Sequence, residues 1–242
     1  MTHPNTGLET QASGIDLRKE PVKKVYVWEL PVRVFHWVNV LCILALFLTG
    51  IYIGNPFIGS SVPEEAYYSN VMGWSRYIHF FAAFVFTANI ILRVYWFFKG
   101  NKYAKTNPFK KAYWQDVWET TKFYLFLKNK KKHTVGHNSL AQLFYLIFIG
   151  VGSLIMILTG IYLYFEPQFE SIAVAKLGAL FGGDSFSVRS FHHIVAWFFI
   201  IFMVVHVYMA IREDWLKRNG TISSIFTGYK VDKENNEEEQ KR

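Results

Sequence analysis

The chain has 242 residues, 52% of them hydrophobic and 19% aromatic, with only 18% charged. A composition this apolar excludes disorder. The single cysteine, Cys42, excludes a disulfide framework, a zinc knuckle and a covalent CxxCH haem attachment. The formal net charge of +8 would suit a nucleic-acid binder only if the basic residues shared a soluble face. Here they lie between long apolar runs, so a soluble enzyme and a nucleic-acid partner are both set aside.

In chain order, residues 1–24 are polar and contain no apolar stretch of signal-peptide type. They read as a cytoplasmic tail, with the first span acting as its own uncleaved insertion signal. Four stretches are long and apolar enough to cross a hydrocarbon core of about 30 Å. They run near Arg33–Gly54, Arg76–Phe98, Leu140–Phe165 and Arg189–Ile211. Trp28, Trp37, Trp74, Tyr77, Tyr95, Trp96 and Trp215 cluster near span ends, as an interfacial aromatic belt requires. Between the second and third spans lie ten lysines, together with Trp114, Trp118, Phe123 and Tyr124 at helical spacing. This segment reads as an amphipathic helix lying at the membrane surface. Residues 231–242 read as a disordered tail.

Lysine and arginine concentrate in the N-terminal segment, the middle loop and the C-terminal segment, whereas the other two loops hold almost none. The positive-inside rule therefore puts both termini and the middle loop in the cytoplasm. The expected fold is an all-α membrane protein. It has four transmembrane helices in a bundle, occupying residues 25–230, plus a cytoplasmic amphipathic helix between helices 2 and 3. A short echo, Leu48-Thr49-Gly50-Ile51-Tyr52 and Leu158-Thr159-Gly160-Ile161-Tyr162, closes two spans that run in the same direction. It reads as duplication or close helix packing at small residues, with no chemistry of its own.

Of eight histidines, His3, His133 and His137 fall in tails or loops. His36, His79, His192, His193 and His206 fall inside spans, where ionisable groups are rare and by default functional. His192 and His206 are 14 residues apart and share a helix face, about 21 Å apart along the axis. His193 points away from that face and reads as a second hydrogen-bonding partner or an interface residue. By topology His79 and His192 match in depth on the outer side, and His36 and His206 on the inner side. Four ligands for two bis-histidine haems would have this arrangement. A metal or proton transporter would normally add carboxylates at depth, and no span interior contains Asp or Glu. Non-covalent haem needs only imidazole, apolar walls and small residues. Arg33, Arg76 and Arg189 each precede such a histidine by three positions and suit haem propionates or simple anchoring.

Arg33-Val34-Phe35-His36-Trp37-Val38, continuing through Leu41-Cys42-Ile43 to Leu48-Thr49-Gly50, resembles the first signature of the b-type cytochrome subunit of nickel–iron hydrogenases. Arg189-Ser190-Phe191-His192-His193-Ile194, with Trp197, Phe199, Phe202 and His206, resembles that family's second signature. His206-Val207-Tyr208-Met209-Ala210 followed by Arg212-Glu213-Asp214 is also similar to it. The resemblance covers roughly residues 25–230, and no presumed ligand departs from it. It implies a dihaem cytochrome b of the cytoplasmic (inner) membrane with two non-covalent b-type haems. It also implies that the chain anchors the large nickel–iron and small iron–sulfur hydrogenase subunits at the periplasmic face. Electrons from hydrogen oxidation would then pass to a membrane quinone. On the same basis His79 and His192 would hold the haem proximal to the hydrogenase, and His36 and His206 the distal one. Asn39, Tyr208 and Arg212 are quinone candidates by proximity only. The cytochrome subunit of a formate dehydrogenase or thiosulfate reductase is the alternative within the same class.

Overall fold

The computed structural model describes residues 23–57, 65–101, 103, 108, 110–125, 127–128, 136, 138–166 and 172–232. His3, His133, His137, the run Lys130–Lys132 and the rest of both tails lie outside the described residues. Four helical rods are long and apolar enough to cross a membrane. The first is α1, Leu30–Gly54, and the second is Val71–Lys99 within α2, Glu65–Lys99. The third, Ser139–Phe165, joins α4 (Ser139–Tyr145), a π-helical segment (Leu146–Gly152) and α5 (Ser153–Phe165). The fourth is α7, Ser185–Lys217. The rods overrun the apolar stretches at their ends, because a helix does not stop where hydropathy does. α2 begins at Glu65 rather than near Arg76, and α7 continues past Ile211 to Lys217.

Local chemistry explains where these elements begin. Pro31 occupies the first turn of α1, where its missing N–H costs nothing. Asn138 caps α4 by accepting from the Ala141 N–H at 2.8 Å. Asp184 caps α7, accepting from the Ser187 N–H at 2.9 Å and the Ser187 hydroxyl at 2.6 Å. Those two bonds favour the carboxylate and hold Asp184 below the usual carboxyl range.

α1 packs along α2, and α5 packs along α7, so the bundle is two helical hairpins that touch each other more sparsely. Lipid supplies no hydrophobic drive for this packing, so close fit and polar bonds must hold the rods together. The buried centre is Ile149, Val195 and Phe199, with Ile43, Ile90 and Phe202 against it. Gly152 makes that centre possible: a Cβ there would stand 3.2 Å from the Phe199 ring. Asn89 is buried in α2 and donates to the Phe35 carbonyl at 3.0 Å and to Asn39 Oδ1 at 2.7 Å. This bond pair ties the first hairpin at depth. Leu41, Leu48, Phe81, Phe84, Leu154 and Ile201 face outward, as lipid-facing positions do.

At one end the chain closes on itself. β1 (Lys23–Tyr26) pairs antiparallel with β2 (Tyr229–Asp232), with Tyr26 opposite Tyr229. The all-α membrane bundle holds, and this small sheet, which takes in Lys23, Lys24, Val231 and Asp232, is added at its end. Two strands of four residues carry too little apolar alternation to stand out. Short α8, Thr221–Thr227, leads into Gly228, whose φ is 89°. A Cβ at Gly228 would lie 2.5 Å from the Tyr26 ring and 2.8 Å from the Trp28 carbonyl oxygen, so only glycine fits. Gly228 O accepts from the Val27 and Trp28 N–H groups at 2.8 and 3.1 Å. The Trp28 indole donates to Ser224 Oγ at 3.1 Å. Glu29 Oε2 accepts from the Trp96 indole and the Asn101 N–H, each at 3.0 Å. Both described chain ends, the end of α2 and α8 are thus tied together at what we call the sheet end. The opposite end is the far end.

The expected surface helix is α3, Lys111–Tyr124. Tyr113, Val117 and Thr120 are buried on one face, whereas Trp114 and Trp118 are exposed. Lys128 hydrogen-bonds Glu119 and, with Lys122, holds its carboxyl below the usual range. Short α6, Ile172–Ala179, packs on α5 in the far-end loop.

Candidate functional site

The topology places the four expected histidines at two levels. α1 rises from the sheet end, carrying His36 in its first turns. α2 and α7 descend from the far end, carrying His79 and His192 early and, on α7, His206 later. The sheet-end pair meets directly: the His36 and His206 ring centroids are 6.3 Å apart at an interplanar angle of 48°. Phe202 stacks on His206 at 5.7 Å, and Phe148 stacks on Phe202 at 4.8 Å. Trp37 stands edge-on to His36 at 5.2 Å and packs on Phe226 of α8 at 4.9 Å. An aromatic ladder therefore packs on His206, and a Trp–Phe contact lies beside His36 on the sheet-end side. His36 Nδ1 is buried with no hydrogen-bond partner.

At the far-end level His79 and His192 lie at matching depth on α2 and α7. Each ring is held by the hairpin partner of its own helix. Thr49 Oγ1 on α1 is 2.9 Å from His79 Nδ1, and Thr159 Oγ1 on α5 is 2.7 Å from His192 Nδ1. The next residue in each case is glycine. A Cβ at Gly50 would stand 3.3 Å from His79 Cε1, and one at Gly160 would stand 3.7 Å from His192 Cε1. The sequence echo is therefore not merely a packing repeat. Its Thr-Gly pair cradles a histidine in both hairpins, which corrects the expectation that it carries no chemistry. The signal was present in the sequence, since both copies lie at one depth with a histidine on the next helix. What it lacked was the pairing of α1 with α2 and of α5 with α7.

The other expected residues fall as follows. His193 belongs to neither pair: it packs on the last turn of α1, where a Gly54 Cβ would stand 3.1 Å from its ring. Arg33 donates to the Phe226 carbonyl, and its Nε is buried without a partner. Arg76 and Arg189 are exposed at the far end. Asn39 is engaged by Asn89 between α1 and α2, and the Arg212 guanidinium lies 5.8 Å from the Tyr124 ring centre. Tyr208 is exposed.

The arrangement suits a planar metallated macrocycle. Two imidazoles on opposite sides of one metal ion, each bonded at about 2 Å, put their ring centres roughly 6 Å apart. The His36–His206 pair already has this separation. The small residues against His79 and His192 and the apolar walls fit the same group. Among the described residues no three of His, Cys, Asp and Glu cluster as a metal site; His36 and His206 come together as a pair.

A family model described as prokaryotic cytochrome b561 matches residues 27–228. The chain is 38% identical over 222 residues to the probable Ni/Fe-hydrogenase B-type cytochrome subunit of Cupriavidus necator, covering 88% of this chain and 89% of that one. It is 37% identical over 237 residues to the probable Ni/Fe-hydrogenase B-type cytochrome subunit of Azotobacter vinelandii, covering 94% and 96%. It is 38% identical over 225 residues to the probable Ni/Fe-hydrogenase 1 B-type cytochrome subunit of Escherichia coli strain K12, covering 89% and 94%. Four membrane-crossing rods, histidines gathered at two depths and a match over nearly all of both chains carry one conclusion: this chain belongs to the prokaryotic cytochrome b561 family, a multi-pass membrane cytochrome b of haem b type.

Proposed function

We propose that this chain is the dihaem membrane subunit of a nickel–iron uptake hydrogenase. It would anchor the hydrogenase large and small subunits and connect their iron–sulfur clusters, through two bis-histidine haems, to the membrane quinone pool. The observation that carries this reading is the close approach of the His36 and His206 rings, supported by the matching depth of His79 and His192 on α2 and α7. The names of the relatives support the hydrogenase partner. The lysine-rich loop and the basic terminal segments support a cytoplasmic sheet end, in the inner membrane. The far end then faces the periplasm and the hydrogenase.

In this reading His79 and His192 hold the haem next to the hydrogenase, and His36 and His206 hold the distal one. Bound haem supplies reversible one-electron chemistry at iron, with a potential set by its ligands and their surroundings. The chain's own residues do the rest. Thr49 and Thr159 orient the far-end rings, while Phe202 and Trp37 orient the sheet-end rings. Arg33, tied to Phe226, keeps a cation beside the sheet-end level, suited to a carboxylate there.

Purification of the complex from membranes under mild detergent tests the partner. Nickel and iron–sulfur subunits should co-migrate with the chain, and hydrogen should reduce its b haem. Co-purification with a molybdenum-containing dehydrogenase instead, and no hydrogen-dependent reduction, would overturn the assignment.

A further inference from the structure

The two copies of the Thr-Gly echo carry an inference about the far-end ligands, and it rests on the dihaem reading above. A threonine hydroxyl has one proton to give. Thr49 Oγ1 lies 2.6 Å from the Ala45 carbonyl oxygen, and Thr159 Oγ1 lies 2.8 Å from that of Ile155. Each is the back-bond to residue i−4 that a helical threonine commonly makes. With its proton used there, each hydroxyl oxygen faces a histidine Nδ1 as an acceptor, at 2.9 Å from His79 and 2.7 Å from His192. Hydrogen-bond accounting therefore puts the proton of both neutral rings on Nδ1 and leaves Nε2 with a free lone pair. Metal-binding histidines show this arrangement, the second ring N–H being donated to a fixed acceptor that orients the ring and raises its basicity. Gly50 and Gly160 complete the unit by letting the ring edge come close. The sheet-end level differs, because His36 Nδ1 is buried without any partner.

We propose that Thr49 and Thr159 are paired positioning residues that fix the tautomer and donor strength of both far-end ligands, and so set the far-end haem's potential below that of the sheet-end haem. An imidazole that donates its N–H becomes a stronger electron donor and favours the ferric state. Two such donors act at the far end. Electrons entering there run downhill towards the sheet end.

The test uses Thr49→Val and Thr159→Val, singly and together, with Thr→Ser at each site. The full chain is purified in complex with its partners. The α-bands are assigned with His79→Ala and His36→Ala, haem is counted as the pyridine haemochrome, and each haem is titrated potentiometrically. Each valine variant should keep two haems and shift the far-end haem's reduction equilibrium about tenfold towards the reduced form. That corresponds to a rise of about 59 mV for a one-electron couple. The double variant should shift it further, serine should restore the parent value, and the sheet-end haem should not move. Valine variants with two haems and unchanged potentials would overturn the proposal, as would equal shifts in both haems. If a valine variant loses the far-end haem, the serine variant decides: retention upholds the hydroxyl's role and loss refutes it. A parent chain without two haems would instead remove the dihaem reading itself, an outcome distinct from silent threonines in a dihaem chain.

Discussion

The two ends of the bundle present the same residue type, histidine, and hold it in different ways. At the far end, each histidine is fixed within its own hairpin by a threonine hydroxyl and a glycine one residue on. At the sheet end, the rings of His36 and His206 are held by stacked aromatics and by a cap that joins both ends of the described chain. The far end is organised by polar bonds to ring nitrogens, which in the dihaem reading would act on the electronics of a ligand. The sheet end is organised by ring packing, which acts on rigidity. The difference teaches that equal ligands need not make equal sites: what touches the second ring nitrogen, and what closes the level, is set independently at each depth.

Substitution of the ligands should break the comparison most severely. His79→Ala or His192→Ala should leave one b haem per chain, retained at the sheet end, and His36→Ala or His206→Ala should leave the far-end one. His193→Ala should keep both, because its ring packs on Gly54 rather than facing a partner histidine. Haem counts with band-resolved spectra read all five variants, and loss of a haem in His193→Ala would break the ligand assignment. Next in size is Trp28→Ala at the sheet-end cap. It removes a buried indole and its bond to Ser224, a truncation that typically costs about 3–5 kcal/mol. Thermal denaturation in detergent, followed at each α-band, should show the sheet-end haem released at lower temperature while the far-end haem holds longer.

A smaller effect distinguishes the two copies of the cradle. Gly50→Ala puts a methyl 3.3 Å from a His79 ring already pinned by Thr49, whereas Gly160→Ala leaves 3.7 Å to His192. Gly50→Ala should displace the far-end α-band with both haems present, and Gly160→Ala should leave the spectrum unchanged. The smallest effect concerns the cap of α7 beside the far end. The Asp184 carboxyl is held below its usual range by Ser187, so its contribution is complete above the ordinary carboxyl value. It is lost as pH falls through the depressed folded value. Denaturation midpoints of the parent should therefore fall at acid pH by more than those of Asp184→Asn, whose cap does not titrate. Parallel pH profiles for the two would remove Asp184 from this role.

Much of this was legible in the residues. Hydropathy alone marks the four rods, because crossing a bilayer demands about 20 apolar residues whatever the partners. Their exact ends are not, since α2 and α7 continue as helices through polar residues such as Arg76 and Glu213. Depth along antiparallel rods pairs His36 with His206, and the 6.3 Å approach of their rings agrees with that pairing. The aromatic and basic pattern of residues 111–124 likewise marks α3. The sheet was not legible, because residues 23–26 and 229–232 find each other only after four membrane crossings. Nor was the work of Thr49 and Thr159. A helical threonine in an apolar run ordinarily bonds its own backbone, and only the packing of each hairpin reveals the histidine nitrogen on its other side. Asn89 is a similar case: a polar residue at depth whose partners, Phe35 O and Asn39, lie on another helix.

The central claim is that four histidines on three helices hold two haems at two depths. A reduced-minus-oxidised spectrum of the purified chain, with a pyridine haemochrome count and a potentiometric titration, tests it most directly. The account predicts two b haems per chain titrating as separate one-electron steps, the far-end haem at the lower potential. One haem per chain would contradict the pairing, and none would contradict the assignment of these histidines to haem.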